Sequence, residues 1–435
     1  MKEIKAILIG AGDRGAMYGT YAFEENSGMK LVAVAEPVDA RRLKVQKDHN
    51  LPDNMVFENW EDVLKIGKVA DLAIIATQDK MHFKPTMQAI DLGYDILLEK
   101  PISPSLDECL TMAKAADEKG VLFTTCYVLR YTQMFKKMKE YIEEGKIGKL
   151  VNLQHIEGVG FWHMAHAFVR GHWRNSDDSA PIILAKCCHD MDIMNFLVGA
   201  NPAKVQSFGS LSFFNEDNAP KGSTDRCIDG CAVREQCPYD SVRLYLKDGI
   251  REEAGWPAEV TSPNDTSIAG RTNALKTTSW GKCVFKNDNN VMDNQIVNIQ
   301  YENGVNASFT MSAFTKDIGR NIRALGTHGE LVGVVGEQGM KLTYYDFTKF
   351  DFVTHVNWDR LPADILMDVD LKDLHGHGGG DFAMMKEFLQ AIRDKDTKPY
   401  VSASDTVMSH VLAFAADKSR IEGGRVVDIK EEYKV

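Results

Sequence analysis

The chain has 435 residues, too many for one small core, so at least two domains are expected. It is 44% hydrophobic and 26% charged, ordinary for a globular protein, and its net charge of -11 argues against a nucleic-acid partner, whose phosphates need a basic surface. No apolar run approaches the roughly 18 residues that span a bilayer, and the first strand starts too early for a signal peptide, so a cytoplasmic protein with no membrane partner is expected. Eight cysteines then read as thiols or metal ligands rather than a disulfide framework.

The first 126 residues alternate strand and helix. Lys5–Ile9 is a strand that feeds straight into Gly10-Ala11-Gly12-Asp13-Arg14-Gly15. In a G-x-G-x-x-G turn the first glycine allows the tight bend, the second lets backbone approach a pyrophosphate, and the third lets the helix pack close. The helix start offers free N–H groups to phosphate. Leu31–Ala35 is the second strand and ends at Glu36, placed to accept bonds from the ribose hydroxyls of NAD. Arg41 and Arg42 follow, and would suit the 2′-phosphate of NADP if Glu36 turned away.

Asp71–Ala76 reads as a strand buried on both faces. The loop after it, Thr77 to His82, suits the nicotinamide side of a dinucleotide or is an ordinary connection. Phe83–Leu92 is a helix stopped by Gly93. Ile96–Leu98 is a strand ending at Glu99-Lys100-Pro101, where Lys100 would face the crevice and handle a hydroxyl proton. Ser103 is the expected cap of a helix that starts at Pro104 and runs to Gly120, and Val121–Cys126 closes a parallel sheet.

After Cys126 the pattern changes. Tyr131–Glu144 is an amphipathic helix. Leu150–Ile156, Val205–Ser212, Gln295–Tyr301 and Val305–Met311 alternate as strands of a largely antiparallel sheet. Residues 214–285 look like a polar insertion with long loops. Asp381 is the expected cap of a helix at Phe382–Ile392, and Thr406–Glu422 is the last helix. Residues 1–126 form one domain and 127–435 the other, with 400–435 expected to pack back on the first.

Four further clusters could carry chemistry. Lys186-Cys187-Cys188-His189-Asp190-Met191-Asp192 opens a helix on which Asp192 could fix the His189 imidazole, or it is an acidic helix start. Gly160 to Arg174 packs Trp162, His163, His166, Arg170, His172, Trp173 and Arg174 together, as sugar contacts or as an aromatic core. His375-Gly376-His377-Gly378 precedes a helix and could place His377 on a ligand, or is a flexible loop. Cys227-x3-Cys231-x5-Cys237 would need a fourth ligand, Cys283 or a histidine, to hold zinc, and free thiols are the alternative.

Taken together, the glycine turn, the Thr77 to His82 loop, Glu99-Lys100-Pro101, Arg130 and His189-Asp190-Met191-Asp192 resemble the Gfo/Idh/MocA oxidoreductase family. The resemblance implies an α/β architecture: an N-terminal Rossmann domain followed by an α/β domain with a large open, mainly antiparallel sheet. It implies a homodimer or homotetramer, since that sheet often forms the interface. It assigns Lys100 and His189 as catalytic and adds Arg130 to the cofactor contacts. The family's catalytic Asp falls at Ala185, so Lys186 or Asp192 is the expected substitute. The activity implied is NAD(P)-dependent oxidation or reduction of a sugar, cyclitol or glycoside hydroxyl. A redox-neutral glycosidase on the same scaffold is the alternative, and a non-catalytic cofactor sensor is a second.

Overall fold

The first six strands are short, and two of them, Leu72–Ile75 and Asp95–Leu98, are almost wholly apolar and buried. The six are β1 (Ile4–Ile9), β2 (Met29–Ala35), β3 (Val56–Phe57), β4 (Leu72–Ile75), β5 (Asp95–Leu98) and β6 (Phe123–Thr125). In the computed structural model they pair in parallel in the order β3-β2-β1-β4-β5-β6. The strand order reverses between β1 and β4, and ligands bind outside the carboxyl ends at such a point. Gly10 and Thr77 leave those two ends. Residues 2–247, 256–336, 339–350, 361–370, 377–394 and 403–434 are described. His375 and Gly376 of the expected histidine–glycine loop lie outside them.

The helix after β5 corrects one expectation. It runs Leu106–Lys119, and Ser105 caps it by accepting the Glu108 N–H. Ser103 instead accepts the Ser105 N–H at 3.0 Å. Asp381 is likewise no cap. The helix there spans Gly380–Arg393, and the Asp381 carboxylate turns back to the first domain.

The second sheet has nine strands. They are β7 (Leu150–Gly158), β8 (Pro202–Ser210), β9 (Asn294–Tyr301), β10 (Asn306–Ser312), β11 (Gly319–Gly326), β12 (Gly329–Gly336), β13 (Gly339–Asp346), β14 (Ala363–Val369) and β15 (Val427–Asp428). Their order is β14-β13-β12-β11-β7-β10-β9-β8-β15. Only β7 and β10 run parallel, so the sheet is mixed and mostly antiparallel. β9 and β10 alternate between buried and more exposed positions, and on the sheet helices Gln133–Glu143, Cys188–Val198 and Ala403–Ile421 pack against β13, β7 and β8. The last of these helices also touches Leu106–Lys119 and β6, so it bridges both sheets. Its His410 Nε2 accepts the Ile102 N–H at 2.8 Å.

The 214–285 insertion is less loose than its composition suggests. It folds on a small core of Cys227, Val242, Tyr245, Leu275 and Trp280, with helices at Ala258–Thr261 and Ile268–Thr277. Among the described residues no helix is long and apolar enough to cross a membrane.

The exit from the first domain is fixed by Arg130, just after β6. Its Nε and Nη2 donate to the two oxygens of Asp192, both at 2.6 Å, and Ser409 Oγ donates to Asp192 at 3.0 Å. Both charges are buried. Removing one partner of such a pair strands the other, at a cost of about 3–5 kcal/mol. Asp192→Ala is therefore expected to lower stability by about that amount in urea unfolding, and Arg130→Met/Asp192→Leu to recover most of it. A loss below about 1 kcal/mol for the single variant would show that the pair does not hold the start of the second domain to its helices.

Candidate active site

The three glycines of the first turn do different work. Gly10 has φ +88°, and a Cβ there would meet the Ala76 carbonyl oxygen at 2.6 Å. A Cβ at Gly15 would stand 1.9 Å from the Gly10 oxygen, so the helix could not pack as close. Gly12 has ordinary backbone angles, φ -66° and ψ -169°. A Cβ there would meet only Arg41 Nη1, at 4.0 Å. The space over Gly12 is thus open at the start of helix Asp13–Thr20, where phosphate is favoured. Asp13 is exposed in its first turn.

Glu36 is held rather than hanging free. Its carboxylate accepts the Ala11 N–H at 2.7 Å and the Val38 N–H at 2.9 Å. A carboxylate has about four acceptor positions, so two remain for ribose hydroxyls. Arg42 does not face that place. It donates to the Glu36 backbone oxygen at 2.7 Å and pairs with Asp39 and Glu58. Thr77, at the end of β4, has a buried Oγ1 without a partner. An open glycine, an anchored acid and an orphaned hydroxyl around one crevice fit a dinucleotide.

Other residues expected at the cofactor are committed elsewhere. Arg14 donates to Glu99 Oε1 at 3.0 Å, to Tyr18 Oη at 2.6 Å and to Asp381. Glu99 also accepts from Tyr18 Oη at 2.7 Å and from the Lys100 N–H at 2.6 Å. Burial would raise the Glu99 carboxyl, but Arg14 and Lys100 hold it below its usual value. His82 is fully buried and sets its ring nitrogens against Pro101 O and Thr77 O, at 2.8 and 3.0 Å. It ties two loops together rather than facing the crevice. Arg130 is taken by Asp192, as described above.

Lys100 leaves β5 into the crevice, where its Nζ donates to the Ala185 oxygen at 3.1 Å. His189 lies beside it. Burial lowers the His189 pKa well below the imidazole value, and the charges of Lys100, Arg320 and Lys186 lower it further. Its Nδ1 is buried without a partner, and its ring centroid is 5.9 Å from that of His377. Asp192 does not bond to it, because three-residue spacing loses to the bidentate Arg130 contact. His377 Nδ1 bonds instead to Asp381 at 3.2 Å. His163 also faces these cations, and burial with Lys186 nearby lowers its pKa as well.

Under the crevice lies a buried ion network. Lys186 Nζ stands 2.7 Å from Glu157 Oε1, and Arg320 Nη2 stands 3.0 Å from Glu157 Oε2. Arg320 Nε and His155 Nε2 both bond Asp190 Oδ1 at 2.8 Å. Burial opposes the Asp190 charge, but Arg320 and His155 hold its pKa low. Lys186 is therefore a neutralised cation in the floor.

The 160–174 stretch divides. Met164–Arg170 is a wide, π-helical turn. Arg170 is fully buried, with Nε donating to Lys282 O at 2.8 Å and Nη2 to Tyr239 O at 2.7 Å, so it holds the insertion and not a sugar. Arg174 is bound by Asp288 at 2.8 Å. His166 is buried against Trp280 and bonds Tyr245 Oη at 2.8 Å, and burial beside Arg170 lowers its pKa to about 3. Trp162 and His163 remain near the opening, with Trp256 of the insertion 5.3 Å from Trp162. Trp173 donates to Asp79 Oδ1 at 3.3 Å.

Asp79 was passed over in the sequence. It is buried, its Oδ2 has no partner, and burial raises its pKa against the pull of His82 and Lys100. Its place in the loop that leaves β4 was the available signal. Tyr127, whose ring stands edge-on to His189 at 5.8 Å, and Trp256 gave none, since only the fold brings them in.

Comparison with known proteins agrees with this geometry. The model of an oxidoreductase family with an NAD-binding Rossmann fold matches residues 4–127, and that of the family's C-terminal alpha/beta domain matches 139–429. A putative oxidoreductase, YteT, of Bacillus subtilis is 22% identical over 75% of this chain and 74% of its own. A 2,7-anhydro-N-acetylneuraminate hydratase of Mediterraneibacter gnavus is 26% identical over 48% of this chain, which spans about half (53%) of that protein. The solved structure of levoglucosan dehydrogenase with NADH and levoglucosan superposes with a TM-score of 0.68 at 16% identity, covering 98% of this chain and 100% of that one. Two domain models in order, on a fold with this strand order and crevice, place the chain in the Gfo/Idh/MocA oxidoreductase family.

Proposed function

We propose that the protein is an NAD-dependent oxidoreductase acting on a hydroxyl of a sugar, cyclitol or glycoside. The carrying observation is the pairing, in one crevice, of Lys100 with a His189 whose Nδ1 is buried and unpartnered. A dinucleotide with its pyrophosphate at the glycine turn would supply the nicotinamide as hydride acceptor or donor. Gly12, Thr77 and the remaining acceptor positions of Glu36 hold the dinucleotide, and the Glu36 charge opposes a 2′-phosphate and so favours NAD over NADP. The Lys100 ammonium donates a hydrogen bond to the reacting oxygen, and neutral His189 accepts its proton. Trp162, His163 and His377 line the opening and position the ring. The same pair would serve elimination and water addition, a reading favoured by the similarity to an anhydro-sugar hydratase.

The outward face of the second sheet supports assembly from identical copies. Phe208, Ile296, Thr310 and Ile156 follow one another across adjacent strands, and all three apolar members are exposed. A dimer or tetramer covering this row is part of the proposal, as is a cytoplasmic setting, which leaves the thiols reduced.

Gly12→Val is expected to fold normally, since its backbone angles suit any residue, and to lose at least about a hundredfold in NADH affinity by fluorescence titration. Unchanged affinity would remove the glycine turn from the cofactor site. On a panel of sugars and glycosides, net NADH formation supports the dehydrogenase, and aglycone or water-addition product without net NADH supports the second reading. For whichever substrate turns over, Lys100→Ala should lower kcat by about 10²–10⁴ with NADH binding retained. A loss under tenfold would exclude Lys100 from the chemistry.

The pH dependence has a definite sign. A histidine with a lowered pKa stays neutral as pH falls through the ordinary value of about 6.5. The kcat/KM profile should therefore show no His189 limb near pH 6.5. A limb there that disappears in His189→Gln would show that the imidazole titrates at its ordinary value and overturn the inference that burial and Lys100 keep it neutral.

A further inference from the structure

Arg170 sends a fully buried guanidinium into the 214–285 insertion, and its Nη1 is buried without a partner. It lines a small, partly open cavity of about 10 Å³, room for roughly one water-sized occupant. Asp240 lines the same cavity but is already bonded to Arg234 Nε at 3.0 Å and to the Val242 N–H at 3.0 Å. The remaining polar lining includes four thiols: Cys227, Cys231, Cys237 and Cys283. Cys227 Sγ is 3.6 Å from Arg170 Nη2.

The backbone brings these cysteines together from residues 227–283 by two devices. Arg226 and Lys282 form an antiparallel bridge, with Cys227 N–H donating to Gly281 O at 3.0 Å and Cys283 N–H to Asp225 O at 2.8 Å. Cys227 and Cys283 are thus diagonal neighbours on one face of the pair, with Cα atoms about 7–8 Å apart and Cβ atoms closer. The short turn Arg234–Gln236 then folds back, and the Cys237 N–H donates to Arg234 O at 3.2 Å. Among the described residues no three His, Cys, Asp or Glu side chains already converge on one point. Convergence on one ion therefore requires the thiols to turn about their Cα–Cβ bonds.

We propose that Cys227, Cys231, Cys237 and Cys283 hold one zinc ion as thiolates. Binding forms four Zn–S bonds of about 2.3 Å and releases four thiol protons to solvent. The resulting centre carries a net double negative charge, which gives the unpartnered Arg170 guanidinium a counter-charge. A cavity for one atom-sized occupant suits a single ion rather than a four-iron cluster, although sulfur ligands serve both. The ion would fix the insertion, and with it Tyr245 and Trp280, against His166.

The full chain, purified under reducing conditions without chelator, should contain about one zinc per chain by mass spectrometry of the elements. Cys231→Ser and Cys283→Ser should each fall below about a tenth of that, while Cys109→Ala, outside the insertion, keeps it. If the serine variants do not fold, the wild-type protein still decides: mercurial titration of its thiols should release zinc stoichiometrically to a colorimetric indicator. Less than about a tenth of an equivalent in the wild type, stoichiometric iron with visible absorbance, or a mass lowered by two or four hydrogens through disulfide formation would each overturn the proposal.

Discussion

One guanidinium connects the parts on which the crevice depends. Arg14 sits in the first turn of the helix that follows the glycines, yet its side chain reaches Glu99 at the end of β5 and Asp381 in the second domain. Glu99 in turn accepts the backbone N–H of Lys100. The position of the proposed proton donor is therefore set through two charge-assisted contacts from the cofactor turn, and the second domain is attached to the same centre. Such contacts are strong where water is excluded, and Glu99 and Asp381 are both buried. The Asp381 carboxyl is opposed by burial but held low by His377 and Arg14, so it stays charged and keeps its grip.

The rest of the crevice is organised by charge neutralisation. Lys186, Arg320, Glu157 and Asp190 cancel one another beneath it, and each would be costly alone. Burial and the facing cations keep His189 and His163 neutral. The outcome is a wall with one ammonium and uncharged imidazoles, which can donate and accept hydrogen bonds at a hydroxyl without building up charge.

Much of the first domain was legible because its signals are local. A parallel strand buried on both faces must be apolar, so Leu72–Ile75 and Asp95–Leu98 stand out, and Gly10 to Gly15 mark the turn from β1 into the first helix. The two-residue β3 carries too few positions to show a period. Strands β11 to β14 were not read: Gly333 breaks the pattern inside β12, and β14 has no residue buried outright to show an inner face. In the site, residue type was legible but direction was not. His82, Arg130, Arg170 and Asp192 are the polar residues that chemistry would want, yet each finds a partner distant in sequence: Pro101, Asp192, Lys282 and Arg130 respectively. Spacing along one helix suggested His189 with Asp192, and a contact 62 residues away won.

The bond between the Ile102 N–H and His410 spans 308 residues. At about 5–20 residues per second, a ribosome needs roughly 15–60 s to travel that distance. For that time the nascent Rossmann half can form its sheet and its glycine turn, while the loop beside Lys100 lacks its tether from the last long helix. Arg14 meets Glu99 within the first domain but waits longer still for Asp381, 367 residues on. Cofactor capture can thus precede completion of the proton-handling wall during synthesis, and a nascent chain could be loaded with dinucleotide before it is able to turn anything over.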